Sequence, residues 1–361
     1  MTTTEERRDA LVERLFGSVL GFGDVYGVYI GDRLGLYDAL GELGDASAGE
    51  LAARTGTHGR YVREWLEHQA VTGIVEVDDA GRGAEERRYR IPPGHDEVLL
   101  DRDSLSYMTA FARMMVGMAG PLPAVLDAFR SGDGVPYADY PADFCEGQGD
   151  LNRVLFVNLL GSEWLPSIAD VDARLEADPP ARVADVGCGV GWSSIAIARA
   201  YPKVSVDGID LDEASIEFAR GNLAGTDVED RVRFEVRDAA DEALSGRYDL
   251  VTVFEAVHDM SRPVEALRVM RGLLAEGGSV LVADERVEES FSAPGGDFER
   301  LAYGWSVLHC LPVGMAEQPS AATGTAMRPE TLRGYALEAG FREVEILPIE
   351  HDFWRFYRLR P

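Results

Sequence analysis

The apolar positions in the first hundred residues predict three helices followed by two short strands. Apolar side chains recur at three- and four-residue spacing, which is the period of an amphipathic helix. Ser47 and Glu50 match the capping-box pattern of a helix start, and Gly56 is typical of a helix end. The predicted helices cover 6–43, 47–56 and 59–71, and the strands cover 73–77 and 88–91. Two short helices followed by a hairpin predict a winged helix.

The pattern changes twice further along the chain. Residues 104–170 are mainly helical in pattern, with a break in the Gly/Pro/Asp-rich stretch 132–141. From residue 182, strand-length apolar runs alternate with helical patterns, which predicts a mostly parallel sheet with helices on both faces. The strand candidates are 183–186, 204–209, 232–236, 250–254, 279–283, 344–349 and 353–359. We therefore expect a winged-helix domain over 1–100, a helical linker and active-site cover over 101–172, and a doubly wound α/β domain over 173–361.

Charge and cysteine content exclude several classes of function. The chain has 361 residues and a formal net charge of −28, which repels phosphate backbones and disfavours nucleic-acid binding. In the candidate recognition helix, Arg60 and Arg63 stand beside Glu64 and Glu67. The three cysteines are far apart and predict neither a disulfide framework nor a thiolate zinc site. Without a signal-peptide pattern or a long apolar run, we expect a cytoplasmic protein that does not enter a membrane.

A glycine-rich turn after the first strand of the α/β domain is the strongest motif. Asp185 precedes three glycines in a GxGxG arrangement, Gly187, Gly189 and Gly191, and a helix follows at Trp192. Glycine lets the backbone approach a ligand closely at this end of the first strand. Pyrophosphate sites prefer GxGxxG, which directs a helix N-terminus at the phosphates. The spacing therefore favours a cofactor without a pyrophosphate.

Acidic residues end the next two strands of the predicted sheet. Asp210 and Leu211 close the second strand, and Asp238 and Ala239 close the third. Because the carboxyl ends of parallel strands meet at one crevice, these residues are expected to line the same site. Asp210 is suited to accept from both hydroxyls of a ribose, and Asp238 from the amino group of an adenine.

With these motifs, residues 182–359 resemble the class I S-adenosylmethionine-dependent methyltransferases. The resemblance implies a seven-stranded Rossmann-like domain, S-adenosylmethionine as cofactor and a small-molecule substrate, with another kind of Rossmann domain as the alternative. The cofactor-binding residues that it implies are Asp185, Gly187, Gly189, Gly191, Asp210, Leu211, Asp238, Ala239 and Phe254. The first hundred residues resemble the winged-helix dimerisation domain of small-molecule O-, N- and C-methyltransferases, which implies a homodimer.

Three residues are candidates for the chemistry. His258 and Asp259 follow the fourth strand, at the edge of the sheet where the methyl group is expected. His258 is a candidate general base, and Asp259 is suited to orient it or to bind a cation. His309 lies in an insertion after the fifth strand. Two histidines and a carboxylate are the ligands of the facial triad that binds iron, so these residues also form a candidate site for iron or zinc.

The arrangement of His258, Asp259 and His309 resembles the metal-binding α-keto acid C-methyltransferases. That resemblance implies a metal that holds the keto acid and stabilises its enolate while the carbon attacks the methyl group. Arg113 and Arg153 are candidates for holding the substrate carboxylate. Metal-independent O- or N-methylation with His258 as base is the alternative, and a cofactor-sensing transcriptional regulator is the rival outside enzymes.

Overall fold

The chain folds into two compact units in a computed structural model that describes residues 3–361. The first unit comprises the described residues up to Gly117 together with Glu146–Val154. The second comprises Met118–Cys145 and Leu155–Pro361. The predicted domain limits at residues 100 and 172 stay a prediction, because the observed units interleave along the chain.

The first unit is mainly helical with one short hairpin. Its elements are α1 (Thr4–Arg33), α2 (Leu36–Leu43), α3 (Ala48–Thr55), α4 (Gly59–Val71), β1 (Glu76–Val77), β2 (Tyr89–Arg90), α5 (His95–Leu99) and α6 (Thr109–Met118). The predicted capping box at Ser47 and Glu50 is present, and Gly56 caps α3 in the left-handed conformation. Leu40, Leu51 and Leu66 are fully buried between these helices. The predicted winged helix is thereby confirmed.

The second unit contains the sheet and the remaining helices. Its elements are α7 (Leu122–Ser131), α8 (Ala142–Leu155), α9 (Ala169–Glu176), β3 (Arg182–Val186), α10 (Trp192–Ala200), β4 (Ser205–Asp210), α11 (Glu213–Leu223), β5 (Val232–Val236), β6 (Tyr248–Phe254), α12 (Pro263–Leu273), β7 (Leu274–Glu285), α13 (Asp297–Trp305), α14 (Leu311–Gly314), α15 (Pro329–Glu338), β8 (Glu343–Ile346) and β9 (Trp354–Arg360). Helix α8 runs through both units. Two wide-turn π-helical segments, Phe156–Trp164 and Ser306–Cys310, interrupt the α-helices.

The sheet has seven strands in the order β5-β4-β3-β6-β7-β9-β8. The five strands from β5 to β7 are parallel, and β9 is antiparallel to both of its neighbours. The doubly wound α/β fold, with the seven strands that the resemblance implies, is therefore confirmed. The order of strands reverses between β3 and β6, and ligands of such sheets bind at the carboxyl ends of the strands beside this point.

The strands that flank this point are buried on both faces. Val183 and Val251 have no exposed surface, and neither do Val280 and Val282 in β7. Burial on both faces holds these strands in the core and so fixes the positions of the ends of β3, β6 and β7, which carry the candidate site. Among the described residues, no single helix has both the length and the apolarity needed to cross a membrane.

Candidate functional site

The glycine-rich turn between β3 and α10 adopts a conformation that only glycine adopts without strain. Gly187, Gly189 and Gly191 have φ angles of +67°, +51° and +85°. A Cβ on Gly191 would lie 2.5 Å from Cζ of Phe234, and one on Gly187 would lie 2.7 Å from Cβ of Ala256. A Cβ on Gly189 would meet nothing within 4 Å. The backbone at Gly189 therefore borders open space in which a ligand can approach the turn.

Asp210 connects the end of β4 to this turn. Its carboxylate accepts a hydrogen bond from the Gly189 amide at 2.8 Å and one from the Asp212 amide at 3.0 Å. Burial raises the pKa of Asp210 above its ordinary value. The next side chain, Leu211, is 61% exposed although it is apolar. The Asp210 carboxylate is suited to accept hydrogen bonds from ribose hydroxyls, and the Leu211 side chain is suited to pack against an apolar face next to that ribose.

Asp185 lies behind the turn in the core. Its carboxylate accepts hydrogen bonds from the hydroxyls of Ser193, Ser194 and Thr252 at 2.5, 2.6 and 2.7 Å. Its burial raises its pKa above the ordinary value. The side chain therefore holds the start of α10 against β6. A direct contact between Asp185 and the cofactor stays a prediction.

The other predicted cofactor residues occupy two different environments. Asp238 is about two fifths exposed and pairs with Arg262 at 2.7 Å, and its other carboxylate oxygen accepts from the Ala240 amide at 2.8 Å. Ala239 is half-buried. Phe254 is buried at the end of β6, with its ring centroid 5.2 Å from that of Phe156.

His258 lies at the centre of a buried acidic cluster beyond the end of β6. Its Nδ1 donates to Oδ1 of Asp284 at 2.8 Å and lies 3.1 Å from Oε2 of Glu285, and its Nε2 lies 3.3 Å from Oδ1 of Asp259. Burial alone would lower the pKa of His258, but the carboxylates of Asp284, Glu285 and Asp259 outweigh it and hold the pKa well above the ordinary value. Burial raises the pKa of Glu285 to about 8, with His258 opposing that shift.

Asp284 and Glu285 are functional candidates that the sequence analysis missed. They end β7, whose preceding four residues are fully or almost fully buried. Two consecutive acidic residues at the end of a buried strand were the available signal, because acids are rarely buried without a partner. Only the fold shows that β7 lies next to β6 and so brings them to His258.

His309 is buried in an aromatic enclosure formed within the second unit. Its ring centroid lies 5.6 Å from that of Tyr137, 4.6 Å from Tyr140 and 4.1 Å from Phe144. Its Nδ1 is 3.9 Å from Oδ2 of Asp259, and its Nε2 has no hydrogen-bond partner. Burial lowers the pKa of His309 to about 4, so its imidazole is neutral at neutral pH. The two histidines thus lie on either side of Asp259.

Two groups in this cluster bring three potential metal ligands close together. The donor atoms of His258, Asp259 and Cys310 lie within 4.8 Å of one another, and so do those of His258, Asp284 and Glu285. His309 belongs to neither group among the described residues, although it approaches Asp259. The predicted triad of His258, Asp259 and His309 stays a prediction.

The two candidate arginines and the remaining histidine near the sheet have structural partners. In the first unit, Arg113 pairs with Asp32 at 2.7 Å and with Asp150 at 2.9 Å, and Arg153 pairs with Asp103 at 2.6 Å. These ion pairs occupy both guanidinium groups. In the second unit, Nδ1 of His351 accepts from the backbone amides of Phe353 and Trp354 and fixes the start of β9.

Comparison with known proteins identifies related sequences for both parts of the chain. Residues 177–308 match the family described as "Methyltransferase domain". Residues 26–102 match the family described as "Rv2258c-like winged HTH domain". The two ranges cover the winged helix and most of the sheet, including the glycine-rich turn and His258.

Two curated relatives illustrate the range of similarity. Malonyl-[acyl-carrier protein] O-methyltransferase of Halalkalibacterium halodurans is 24% identical over 118 residues, which are 32% of this chain and 44% of the relative. The 27-O-demethylrifamycin SV methyltransferase of Amycolatopsis mediterranei is 32% identical over 181 residues, which are 47% of this chain and 66% of the relative. The chain thus spans less than half of the first relative and about two thirds of the second.

A solved structure extends the similarity of fold to the whole chain. Human N-acetylserotonin methyltransferase in complex with S-adenosylmethionine matches with a TM-score of 0.71 and 17% identity, covering 100% of this chain and 99% of that chain. At this identity the match concerns the fold alone. The resemblance to metal-binding α-keto acid C-methyltransferases stays a prediction after these comparisons.

Proposed function

We propose that this chain is an S-adenosylmethionine-dependent methyltransferase acting on an oxygen of a small molecule. The proposal starts from the matches to a methyltransferase domain and, before it, to an Rv2258c-like winged helix–turn–helix domain. The observation that carries the proposal is the environment of His258. This histidine is buried at the end of β6, and its Nδ1 donates to Asp284. Its Nε2 lies on the other side of the ring, 3.3 Å from Oδ1 of Asp259, and is the nitrogen that exchanges a proton with an acceptor.

The arrangement is that of an oriented general base. The bond from Nδ1 to Asp284 fixes the tautomer and the direction of the ring, as carboxylates do for catalytic histidines elsewhere. Because these carboxylates hold the pKa of His258 well above its ordinary value, the neutral ring that acts as base forms only at high pH. There Nε2 takes the proton of an acceptor hydroxyl, and Asp284, Glu285 and Asp259 stabilise the imidazolium that forms. The cofactor, when bound, would supply an electrophilic methyl group on its sulfonium, and the role of His258 would be to take the proton of the acceptor oxygen.

The cofactor residues are proposed at the turn beside this base. Gly187, Gly189 and Gly191 let the backbone approach the methionine part, and Asp210 accepts from the ribose hydroxyls. Leu211, Asp238, Ala239 and Phe254 line the adenine side and its surroundings, and Asp185 holds the turn. Support for an oxygen acceptor comes from the relatives, because the names of both curated enzymes describe methylation of an oxygen.

A second candidate is metal-assisted C-methylation of an α-keto acid or enol. One observation favours it: Nε2 of His309 is buried without a hydrogen-bond partner, and Oδ1 of Asp259 and Oε2 of Glu285 are buried 3.3 and 3.1 Å from the His258 ring nitrogens without a hydrogen bond of good geometry. Buried polar atoms normally have hydrogen-bond partners, and a divalent cation is a partner that carboxylate oxygens and imidazole nitrogens can bind. Iron or zinc would be held by His258, Asp259 and His309, and would polarise the acceptor as a Lewis acid.

One experiment separates the two candidates. The purified enzyme is assayed with deuteromethyl-labelled S-adenosylmethionine and a panel of phenols, enols, amines and α-keto acids, with and without EDTA. The products are analysed by mass spectrometry and NMR, and the metal content is measured in parallel. We expect a deuteromethyl ether whose formation resists EDTA and falls about 100-fold or more in His258→Gln.

The outcomes differ clearly. Stoichiometric metal together with an EDTA-sensitive C-methylated product would replace the first candidate by the second. Transfer to nitrogen would retain His258 as the base but change the acceptor class. Specific DNA binding without any transfer would contradict both and favour a cofactor-sensing regulator.

The assembly proposed for this enzyme is a homodimer formed through α1. The large apolar side chains that α1 leaves exposed are Leu11, Val12, Leu15, Phe16, Val19, Leu20, Phe22 and, near its end, Ile30. Exposed apolar faces of this extent are typical of interaction surfaces. A second copy of the same helix offers the same apolar face.

A further inference from the structure

Cys310 brings a thiol to the acidic cluster around His258, and the base mechanism proposed above does not use it. The thiol is buried and forms no disulfide. Its Sγ lies within 4.8 Å of donor atoms on His258 and Asp259, and all three residues belong to the second unit. An imidazole, a carboxylate and a thiol therefore meet in one place.

The spacing of these three donors suits a tetrahedral cation. Ligands at zinc distances of about 2.0–2.3 Å lie about 3.3–3.8 Å from one another in a tetrahedron. Nε2 of His258 and Oδ1 of Asp259 are 3.3 Å apart and fit that range. From the 4.8 Å limit, the Cys310 thiol needs to move by at most about 1 Å. The Asp259 side chain is 19% exposed, so a cation can enter beside it.

The carboxylates around His258 lack cationic partners other than imidazoles. Among the described residues, the ion pairs of Asp259, Asp284 and Glu285 are with His258 and His309 alone. One oxygen of each carboxylate is also buried without a hydrogen bond of good geometry. Buried carboxylates without a cationic partner are costly, so a dication would stabilise this cluster.

His309 contacts the thiol from outside the group of three donors. Its Nδ1 lies 3.5 Å from Sγ of Cys310 and 3.9 Å from Oδ2 of Asp259, and its ring is held by the surrounding aromatic rings. The donor nearest to the other two is therefore the thiol. Thiolate is a soft ligand, which favours zinc and similar cations over hard ones.

We propose that His258, Asp259 and Cys310 form a binding site for a thiophilic divalent cation such as zinc, and that the bound cation inhibits methyl transfer. An imidazole nitrogen binds either a proton or a metal ion, so His258 with a cation on Nε2 no longer acts as a base. On binding, Nε2 and Sγ coordinate to the cation and release the protons that they carry to water. The inhibitory role rests on the function proposed above, whereas the cation site does not.

The site is tested with cobalt(II), which replaces zinc and gives a thiolate-to-cobalt charge-transfer band in the near ultraviolet when sulfur is a ligand. We expect this band in the wild-type chain and its loss in Cys310→Ser. Cys145→Ser removes another buried free thiol and should keep the band, as should His309→Gln. Should Cys310→Ser not fold, Asp259→Asn is expected to weaken cobalt binding about tenfold. No band in the wild type, a band in Cys310→Ser, or its loss in His309→Gln would overturn the proposal.

Inhibition is measured as methyl transfer with and without added zinc, each protein being compared with its own metal-free rate. We expect zinc to slow transfer by the wild type, EDTA to restore it, and the inhibitory concentration to rise about tenfold or more in Cys310→Ser. Zinc that leaves transfer unchanged would overturn the inhibitory role, and zinc that speeds it would also favour metal-assisted C-methylation. A wild type that transfers no methyl group would contradict the proposed function and the inhibitory role with it, while the cobalt band still decides the cation site.

Discussion

Asp185 and Asp210 are both predicted cofactor-binding acids, but their environments differ. Asp185 is surrounded by three hydroxyl donors in the core, whereas Asp210 accepts backbone amides at the edge of open space. The sequence predicts both as cofactor residues because their positions follow a family pattern. The direction that each carboxylate faces depends on the packing of α10 against the sheet.

We predict that Asp185→Ala destabilises the fold more than Asp210→Asn, which keeps an acceptor for one of the two backbone amides that Asp210 binds. The alanine variant leaves three buried hydroxyls without their acceptor, at a cost of about 3 kcal/mol. The apparent melting temperature should fall by about 5–10 °C, as differential scanning fluorimetry would show. An Asp185→Ala variant as stable as the wild type would mean that the three hydrogen bonds do not hold the turn.

His351 makes part of the stability dependent on pH. Burial lowers its pKa below the ordinary 6.5, so the unfolded chain takes up the proton first as the pH falls. Its contribution to stability is therefore complete above the unfolded pKa and is lost as the pH falls below about 6.5. Protonation of Nδ1 also removes the acceptor of the Trp354 amide.

We predict that the wild type loses about 2 °C more in melting temperature between pH 8 and pH 5.5 than His351→Asn does. The asparagine oxygen accepts amides two and three residues ahead but does not titrate. Parallel melting curves of the two proteins against pH would instead show that His351 does not contribute to the pH dependence.

At the scale of elements, the glycine-rich turn needs glycine at two positions for different steric reasons. Gly189 and Gly191 both need a positive φ, but only Gly191 is packed against a neighbour, the Phe234 ring. We predict that Gly189→Ala costs about 1 kcal/mol of stability, from φ alone, and that Gly191→Ala costs clearly more. Chemical denaturation measures both.

The same pair tests the site. The methyl group of Gly189→Ala would occupy the open space above the turn, so S-adenosylhomocysteine should bind at least tenfold more weakly at almost native stability. Equal stability losses in the two variants, or an unchanged affinity in Gly189→Ala, would contradict this description of the turn.

Strands and motifs were predictable because their signals are local. Apolar runs located all seven strands of the sheet, and the glycine turn, Asp210 and His258 could be read from adjacent residues. Asp284 and Glu285 could not be assigned, because their meeting with His258 depends on the pairing of β6 with β7. The enclosure of His309 by Tyr137, Tyr140 and Phe144 joins residues more than 160 positions apart, and no periodicity records such a contact.

At the scale of the whole molecule, α1 determines the expected assembly. We predict that the wild type is a dimer of 39.4 kDa chains in light scattering and that Phe16→Asp converts it to a monomer. A charge in the middle of the apolar face is costly to bury without a partner. Arg14→Asp introduces the same side chain outside that face and should stay dimeric. A monomeric wild type would contradict the proposed assembly.

The net charge of −28 affects how fast a charged ligand associates with the protein. An acidic protein attracts a cationic ligand over long range and repels polyanions. S-adenosylmethionine carries a positive sulfonium, so its association should slow as salt is added. The acids at the ends of β4, β6 and β7 place part of this charge at the proposed site itself.

The most direct test of the central claim is a calorimetric titration of the wild type and Asp210→Asn with S-adenosylmethionine. The proposed function predicts one ligand per chain and an affinity that falls about tenfold or more in Asp210→Asn, because charge-assisted hydrogen bonds to the ribose are lost. The absence of binding to the wild type, or equal binding by a well-folded Asp210→Asn, would contradict it.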